Sequence, residues 1–347
     1  MKFGLFLPFH RLDRSVSQKE VYDQTMECVT FAEEAGFQSV WFPEHHLIEY
    51  IACPSPLMFI AAAAQRTTRI RLGTAIIVAP YYNPLRLAGE IGMADILSNG
   101  RLDIGFGRGA FFYEFDRFGI DEKIGAARLR ENLEAVEGLI KNQDFEYHGS
   151  TVNFPKSTAV PKPLQRPMPP TWLAARSPDS IRWGIERGYN QLMTPWRESF
   201  ERVEYLYNIR EKIIEEVKPP VRPKLAMSRM TFVGRTDGEA LDAMTDIQVH
   251  HRIWTRLFTG KEDVTAGFVK PDPVDDEYSN EKLFNNLVAG DPARCIAELK
   301  KYEKIGVDEF ILYPGITLSH KQTMKSLYRF VEEVKPEFSE RATQVFA

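Results

Sequence analysis

An alternation that runs the whole length of the chain constrains its fold most. Short strand-like runs recur between longer stretches of helical periodicity. The strand candidates are KFGLFLP (2–8), SVWF (39–42), IRLGTAIIVA (70–79), RLDIGFG (101–107), TWLAA (171–175), QLMTP (191–195), LAMSRMTFVG (225–234) and DEFILYP (308–314). Between them, Leu129, Leu133, Val136 and Ile140 are spaced as one helix face, and so are Ile296, Leu299 and Tyr302. Ser177-Pro178 and Asp291-Pro292 each read as an N-cap followed by proline at the first helical position. Repeated strand–helix units predict a parallel sheet with helices outside it. Eight such units favour a closed barrel over an open sheet. The 347 residues would also suit two domains, but a barrel of about 250 residues with insertions uses the same length. The expected fold is α/β, one (β/α)8 barrel domain spanning 1–347.

Two segments fit no simple unit. FEYHGSTVNF (145–154) reads as a hairpin, after which the proline-rich PKPLQRPMPP (161–170) leads into the fifth strand. The region 250–286 begins as helix and turns polar, with Gly260, Gly267, Pro271 and Pro273. A long excursion inside a barrel reads as a lid or an oligomer contact. Because it follows the seventh strand, a mobile lid on the catalytic face is expected.

The net charge of −4 gives no reason to expect nucleic acid or an anionic membrane as partner. No apolar run approaches the ~20 residues needed to span a bilayer. The opening MKFGLFLPFH enters a strand at once and lacks a signal-peptide pattern. Three widely spaced cysteines, Cys28, Cys53 and Cys295, suggest neither a disulfide framework nor a zinc knuckle. A reduced, cytoplasmic protein is expected.

In a barrel, chemistry gathers at the C-terminal strand ends. The second strand runs into VWFPEHH (40–46), for which three readings compete. Glu44, His45 and His46 would have to converge on a metal, but neighbours in an extended segment point to opposite faces. No other strand end offers a clear third ligand, so no metal is expected. Alternatively, one histidine packs under a loop while Glu44 makes a structural hydrogen bond, the reading that suits His46. Finally, His45 is an acid/base or hydrogen-bonding group in a pocket, since imidazole titrates near neutral pH.

The fourth strand ends in Gly105, Gly107 and Gly109 around Arg108, followed by Phe111, Phe112, Tyr113 and Phe115. Glycines there let backbone approach a large flat or anionic ligand, and the arginine can fork a phosphate. After the fifth strand, Ser177 before Pro178 either caps a helix or offers free amides to an anion. Together these features suggest one phosphate on a planar cofactor.

These residues resemble the bacterial luciferase-like, flavin-dependent monooxygenase family, and the luciferase α subunit in particular. The similarity covers nearly the whole chain: the MKFG start, AEEAGFQSVWFPEHH (32–46), PLRLAGEIGMADILSNGRLDIGFGRG (84–109), the FDRFG that follows, and NLVAGDPARCIAELKKYEKIGVDEFIL (286–312). The resemblance implies a (β/α)8 barrel that takes reduced FMN as co-substrate or loosely bound cofactor from a separate flavin reductase. It implies that FMN reacts with molecular oxygen to give a flavin hydroperoxide, which oxygenates a small apolar substrate such as an aldehyde, ketone, terpene or aromatic. Carried over, His45 matches the catalytic histidine and His46 its companion, and Glu114 falls where luciferase has an aspartate near the flavin. Arg108, with Gly107 and Gly109, matches the arginine segment that grips the phosphate. Ser177 and Ser180 match positions beside that phosphate, with Arg176 standing where luciferase has an acid. Ala75-Ile76 lies where relatives have a non-prolyl cis peptide beneath the flavin. Luciferase has a reactive cysteine where this chain has Gly107, which makes light emission a poor expectation.

For the substrate pocket, Phe6, Phe42, His46, Phe111, Phe112, Trp196 and Trp254 are expected. The family pairs through its second and third helices, and PSPLMFIAAAAQRT (54–67) is rich in small residues, so a homodimer is expected; burial of that face in the barrel's own core is the alternative. A deazaflavin-dependent oxidoreductase and a non-catalytic flavin-binding protein are the rival functions.

Overall fold

The computed structural model describes residues 1–275, 277–314 and 319–338. Eight parallel strands close on themselves: β1 (Lys2–Phe6), β2 (Ser39–Phe42), β3 (Arg71–Thr74), β4 (Leu102–Gly107), β5 (Thr171–Ala174), β6 (Asn190–Met193), β7 (Leu225–Val233) and β8 (Glu309–Tyr313). Each is hydrogen-bonded to the next, and β8 returns to β1 with Lys2 opposite Glu309. Every expected strand is present. The third run, however, is broken: β3 stops at Thr74, the Ala75–Ile76 peptide is cis, and Ile77–Val78 then pairs with the end of β4.

The helices around the barrel are α1 (Gln18–Glu34), α2 (Pro56–Ala64), α3 (Pro84–Leu97), α4 (Phe112–Arg117), α5 (Gly125–Lys141), α6 (Pro178–Glu186), α7 (Phe200–Val217), α8 (Asp237–Asp242), α9 (Met244–Thr259), α10 (Asn280–Asn286), α11 (Pro292–Ile305) and α12 (His320–Arg329). Their starts follow from side-chain caps. Ser177 accepts from the amide of Ser180, and Asp291 from that of Arg294, each with proline following. Leu129, Leu133, Val136 and Ile140 of α5 are all buried against the barrel.

Side chains alternate between the barrel interior and the helix layer, as strand geometry requires. Trp41, Trp172, Leu192, Ala226 and Ile311 fill the interior, with the two indoles edge to face at 5.4 Å. Gly73 makes room for them: a Cβ there would lie 2.3 Å from the Trp41 ring. Below, the carboxylate of Glu309 accepts from the hydroxyl of Ser39, and Asp103 accepts from Trp172 Nε1 at 3.0 Å and pairs with Arg71. Burial, with the charge of Asp103 nearby, raises Glu309 to about 7 against the pull of the Ser39 hydrogen bond.

Because Trp41 points inward, Phe42 must point outward. It is fully buried against Phe9 and Phe59 of α2, which removes it from the expected substrate pocket.

The predicted hairpin forms from Phe145–His148 and Asn153–Ser157. The second excursion is α9, a small hairpin (Val264–Thr265 with Phe268–Val269) and α10. Here α9 crosses the C-terminal mouth. Ile247 packs in the cluster containing Tyr313, His250 lies against His10, and Trp254 meets Trp196 and Phe111. The hairpin is pinned to the segment after β2: Glu49 donates its amide to Gly267 at 2.7 Å, and Phe268 lies beneath the guanidinium groups of Arg11 and Arg14.

Among the described residues, no helix is long and apolar enough to cross a membrane, and no group of three His, Cys, Asp or Glu side chains could hold a metal ion. Cys28, Cys53 and Cys295 are free and buried.

Candidate active site

The segment after β2 is organised by two buried carboxylates. Glu44 lies 1% exposed, with Oε1 2.8 Å from His46 Nε2 and Oε2 accepting the amide of Val78 at 2.9 Å. Burial raises its pKa, while the His46 and Val78 hydrogen bonds act against that rise. Glu114, on α4, is 0% exposed. Its Oε1 accepts the amide of His46 at 2.6 Å and lies 3.0 Å from His45 Nδ1.

These contacts fix the imidazole of His45. A carboxylate only accepts, so Nδ1 carries the proton and Nε2 is left for a ligand. One face of the ring stacks on Phe111, centroids 4.4 Å apart. Tyr81 completes the setting, its hydroxyl 3.5 Å from Glu114 Oε2, and burial beside Glu114 and Glu44 pushes that phenol up. Glu114, expected among the catalytic groups, thus contacts the His45 ring, the His46 amide and the Tyr81 hydroxyl. The ring of His46 is held by Glu44 and packs on Tyr81 and Phe118.

The mouth has two unlike sides. Small residues stand at the ends of β3, β4 and β5: Ala75 just past the first, and Gly107 and Ala174 at the other two, with the partly exposed cis peptide Ala75–Ile76 at that edge. A Cβ at Gly107 would lie 2.0 Å from Ile76 Cδ1, so any larger residue there must displace the tip of the Ile76 side chain. Parallel pairing of Phe106 with Leu173 brings Arg108 and the Arg176–Ser177 turn to neighbouring strand ends. Arg108 is 41% exposed, with its guanidinium 3.3 Å from Glu122. Arg176 is 3.7 Å from Glu198. Ser177 and Ser180 stand at the start of α6 with their hydroxyls 3.0 Å apart, and Gly109 turns the chain at φ 89°.

The opposite side is aromatic. Phe6 meets Tyr313 at 4.9 Å, Tyr313 meets Trp196 at 5.8 Å, Trp196 meets Trp254 at 5.3 Å, and Trp254 meets Phe111 at 6.5 Å. Phe112, 42% exposed, stands at the rim near Gly260 at the end of α9.

A flat ring with a phosphate tail fits this division. Small residues leave room over the cis peptide, and a cation with a capped helix start lies beside it. The sequence model of the luciferase-like monooxygenases matches residues 1–309. The chain belongs to that family. This luciferase-like protein is 36% identical to the oxygenase component of a flavin-dependent trigonelline monooxygenase from Acinetobacter baylyi, over 98% of this chain and 96% of that one. Its fold is similar to that of the monooxygenase RslO1 from Streptomyces bottropensis, with TM-score 0.85, 25% identity, and coverage of 98% and 100%. The oxygenating constituent of 3,6-diketocamphane monooxygenase from Pseudomonas putida, solved with FMN, shares the fold at TM-score 0.77 and 22% identity, covering 97% and 98%.

Sequence reasoning missed Tyr81, His10 and Tyr313 as parts of the mouth. His10 and Tyr313 lie 303 positions apart and meet only because β8 closes on β1. The one signal available was that both stand at or just beyond strand ends.

Proposed function

We propose that this luciferase-like protein is an FMN-dependent monooxygenase that receives reduced flavin from a separate reductase and oxygenates a planar aromatic or heteroaromatic substrate. The observation that carries this reading is the division of the mouth. A small-residue shelf with Arg108 and the start of α6 suits the flavin, and the aromatic arc facing it suits a flat substrate ring. The ring class named for the Acinetobacter relative belongs to the same chemistry.

Arg108, Ser177 and Ser180 would hold the phosphate, and Gly107, Gly109, Ala75 and Ile76 would bed the ring. Bound reduced FMN supplies the activation of molecular oxygen. Everything else is work for the protein. His45, oriented by Glu114, offers Nε2 to hydrogen-bond the reacting oxygen and move a proton. The excursion containing α9 excludes water and so limits release of peroxide.

A homodimer suits the outer surface. Met58 of α2 and Met93, Ile96 and Leu97 of α3 are 75%, 52%, 41% and 44% exposed on adjoining helices, although Leu57, Phe59, Ile60, Ala63 and Ala64 of α2 pack inward as a core face.

The test is turnover with a flavin reductase, NADH and FMN, offering a panel of substituted benzenes and pyridines. The reading expects products with one added oxygen atom that require both proteins. Oxygen consumption that yields only peroxide with every ring would overturn it.

A further inference from the structure

Behind the aromatic arc lies a buried polar cluster that the proposed chemistry does not use. His10, just past β1, places Nδ1 against the backbone carbonyl of Tyr50 and Nε2 against the hydroxyl of Tyr313. A carbonyl only accepts, so Nδ1 of His10 carries the proton and Nε2 accepts from Tyr313. Both nitrogens of His10 are thereby used.

Over this pair sits His250 of α9, its ring centroid 4.4 Å from that of His10 and 5.8 Å from that of Tyr50. The residue is 1% exposed, and neither ring nitrogen has a hydrogen-bond partner among the described residues. A buried polar group left unpaired in a native fold calls for a missing partner, either ordered water or a ligand. His10 cannot supply one. One helical turn on, Trp254 lies on the same face of α9 and joins Trp196 and Phe111 in the arc, so His250 stands directly behind the wall of the proposed substrate pocket.

We propose that His250 is the specificity-determining polar contact of this pocket: it hydrogen-bonds one carbonyl or hydroxyl oxygen on the aromatic substrate and so fixes which ring atom faces the oxygen-transfer site. This rests on the aromatic-substrate reading above. Burial, with His10 alongside, holds the pKa of His250 well below the usual imidazole range, and burial lowers His10 to about 4. Both rings are therefore neutral at physiological pH. A neutral imidazole offers one donor and one acceptor, a match for a neutral hydroxyl or carbonyl rather than a carboxylate or ammonium.

The test needs neither flavin nor oxygen. The histidine ring nitrogens are labelled with 15N, and the His250 signal is assigned by its loss in His250→Phe. Phenol, acetophenone and toluene are then titrated into the full-length protein. The expected result is a saturable shift of the His250 signal with phenol or acetophenone and none with toluene. His250→Phe should bind the oxygenated ring at least tenfold more weakly, His250→Gln should recover part of that loss, and FMN affinity, the control for folding, should not change. A signal unmoved by either oxygenated ring, moved equally by toluene, or an affinity unaltered in His250→Phe would overturn the proposal. Failure of oxygen transfer would instead appear in the reductase-coupled assay while this binding persisted, which separates the two claims.

Discussion

At the scale of single residues, the site turns on how two buried carboxylates divide two adjacent histidines. Glu44 takes the ring of His46, and Glu114 takes the ring of His45 together with the His46 amide. The tandem EHH therefore gives its two imidazoles different carboxylate partners. His45→Ala should keep FMN affinity within about twofold while turnover falls on the order of 100-fold or more, the usual scale for a general acid/base. Flavin titration and steady-state rates check this, and unchanged turnover would remove His45 from the chemistry. Arg108→Ala should show the opposite profile, weakening FMN much more than riboflavin, since only FMN carries the phosphate. Equal losses would place the phosphate elsewhere. The EHH segment and Arg108 were legible because their residue types stand at strand ends. Tyr81 and His250 were not, because their roles depend on contacts made across 33 and 240 positions.

At the scale of elements, the strands were legible because parallel strands covered on both sides read as continuous apolar runs. The same property hid which residues face inward. Trp41 and Phe42 are equally apolar, and only the pairing of β2 with its neighbours puts the first inside the barrel and the second against α2. The break after Thr74 leaves no mark in the pattern of the run 70–79, and only the family resemblance pointed to the Ala75–Ile76 peptide. The excursion from α9 to α10 was recognised by its length and polarity, but its attachment was not. Phe268, clasped by Arg11 and Arg14, ties the small hairpin down. Phe268→Ala should loosen that tie and raise the fraction of consumed oxygen released as peroxide, by about twofold or more if closure shields the site. A peroxide assay under turnover measures this; an unchanged fraction would leave the excursion without a shielding role.

For the whole molecule, closure of the barrel brings α2 and α3 side by side on its outside and buries Glu309 at its floor. The exposed apolar strip on α2 and α3 is of the kind that pairs subunits. Met58→Asp combined with Met93→Asp should convert dimer to monomer in sedimentation, whereas a wild-type monomer would contradict the pairing. At the barrel floor, Glu309 keeps its proton up to about 7 when folded, against about 4.3 in an unfolded chain. The folded state then binds the extra proton between those values. Its contribution is fully present below about pH 4 and disappears as pH rises through 7, a loss on the order of 3 kcal/mol. Glu309→Gln should therefore gain stability relative to the wild type from pH 5 to pH 8, read as diverging urea midpoints. Parallel midpoints would show that the carboxyl is ionised throughout. Oxygen activation on FMN within this mouth can be followed directly. The most direct measurement is to reduce the protein–FMN complex without oxygen, mix it rapidly with oxygenated buffer and follow the flavin absorbance. A species that is neither reduced nor oxidised FMN should last for seconds and decay faster in His45→Ala. Immediate return to oxidised FMN at the rate of free flavin, in both proteins alike, would contradict it.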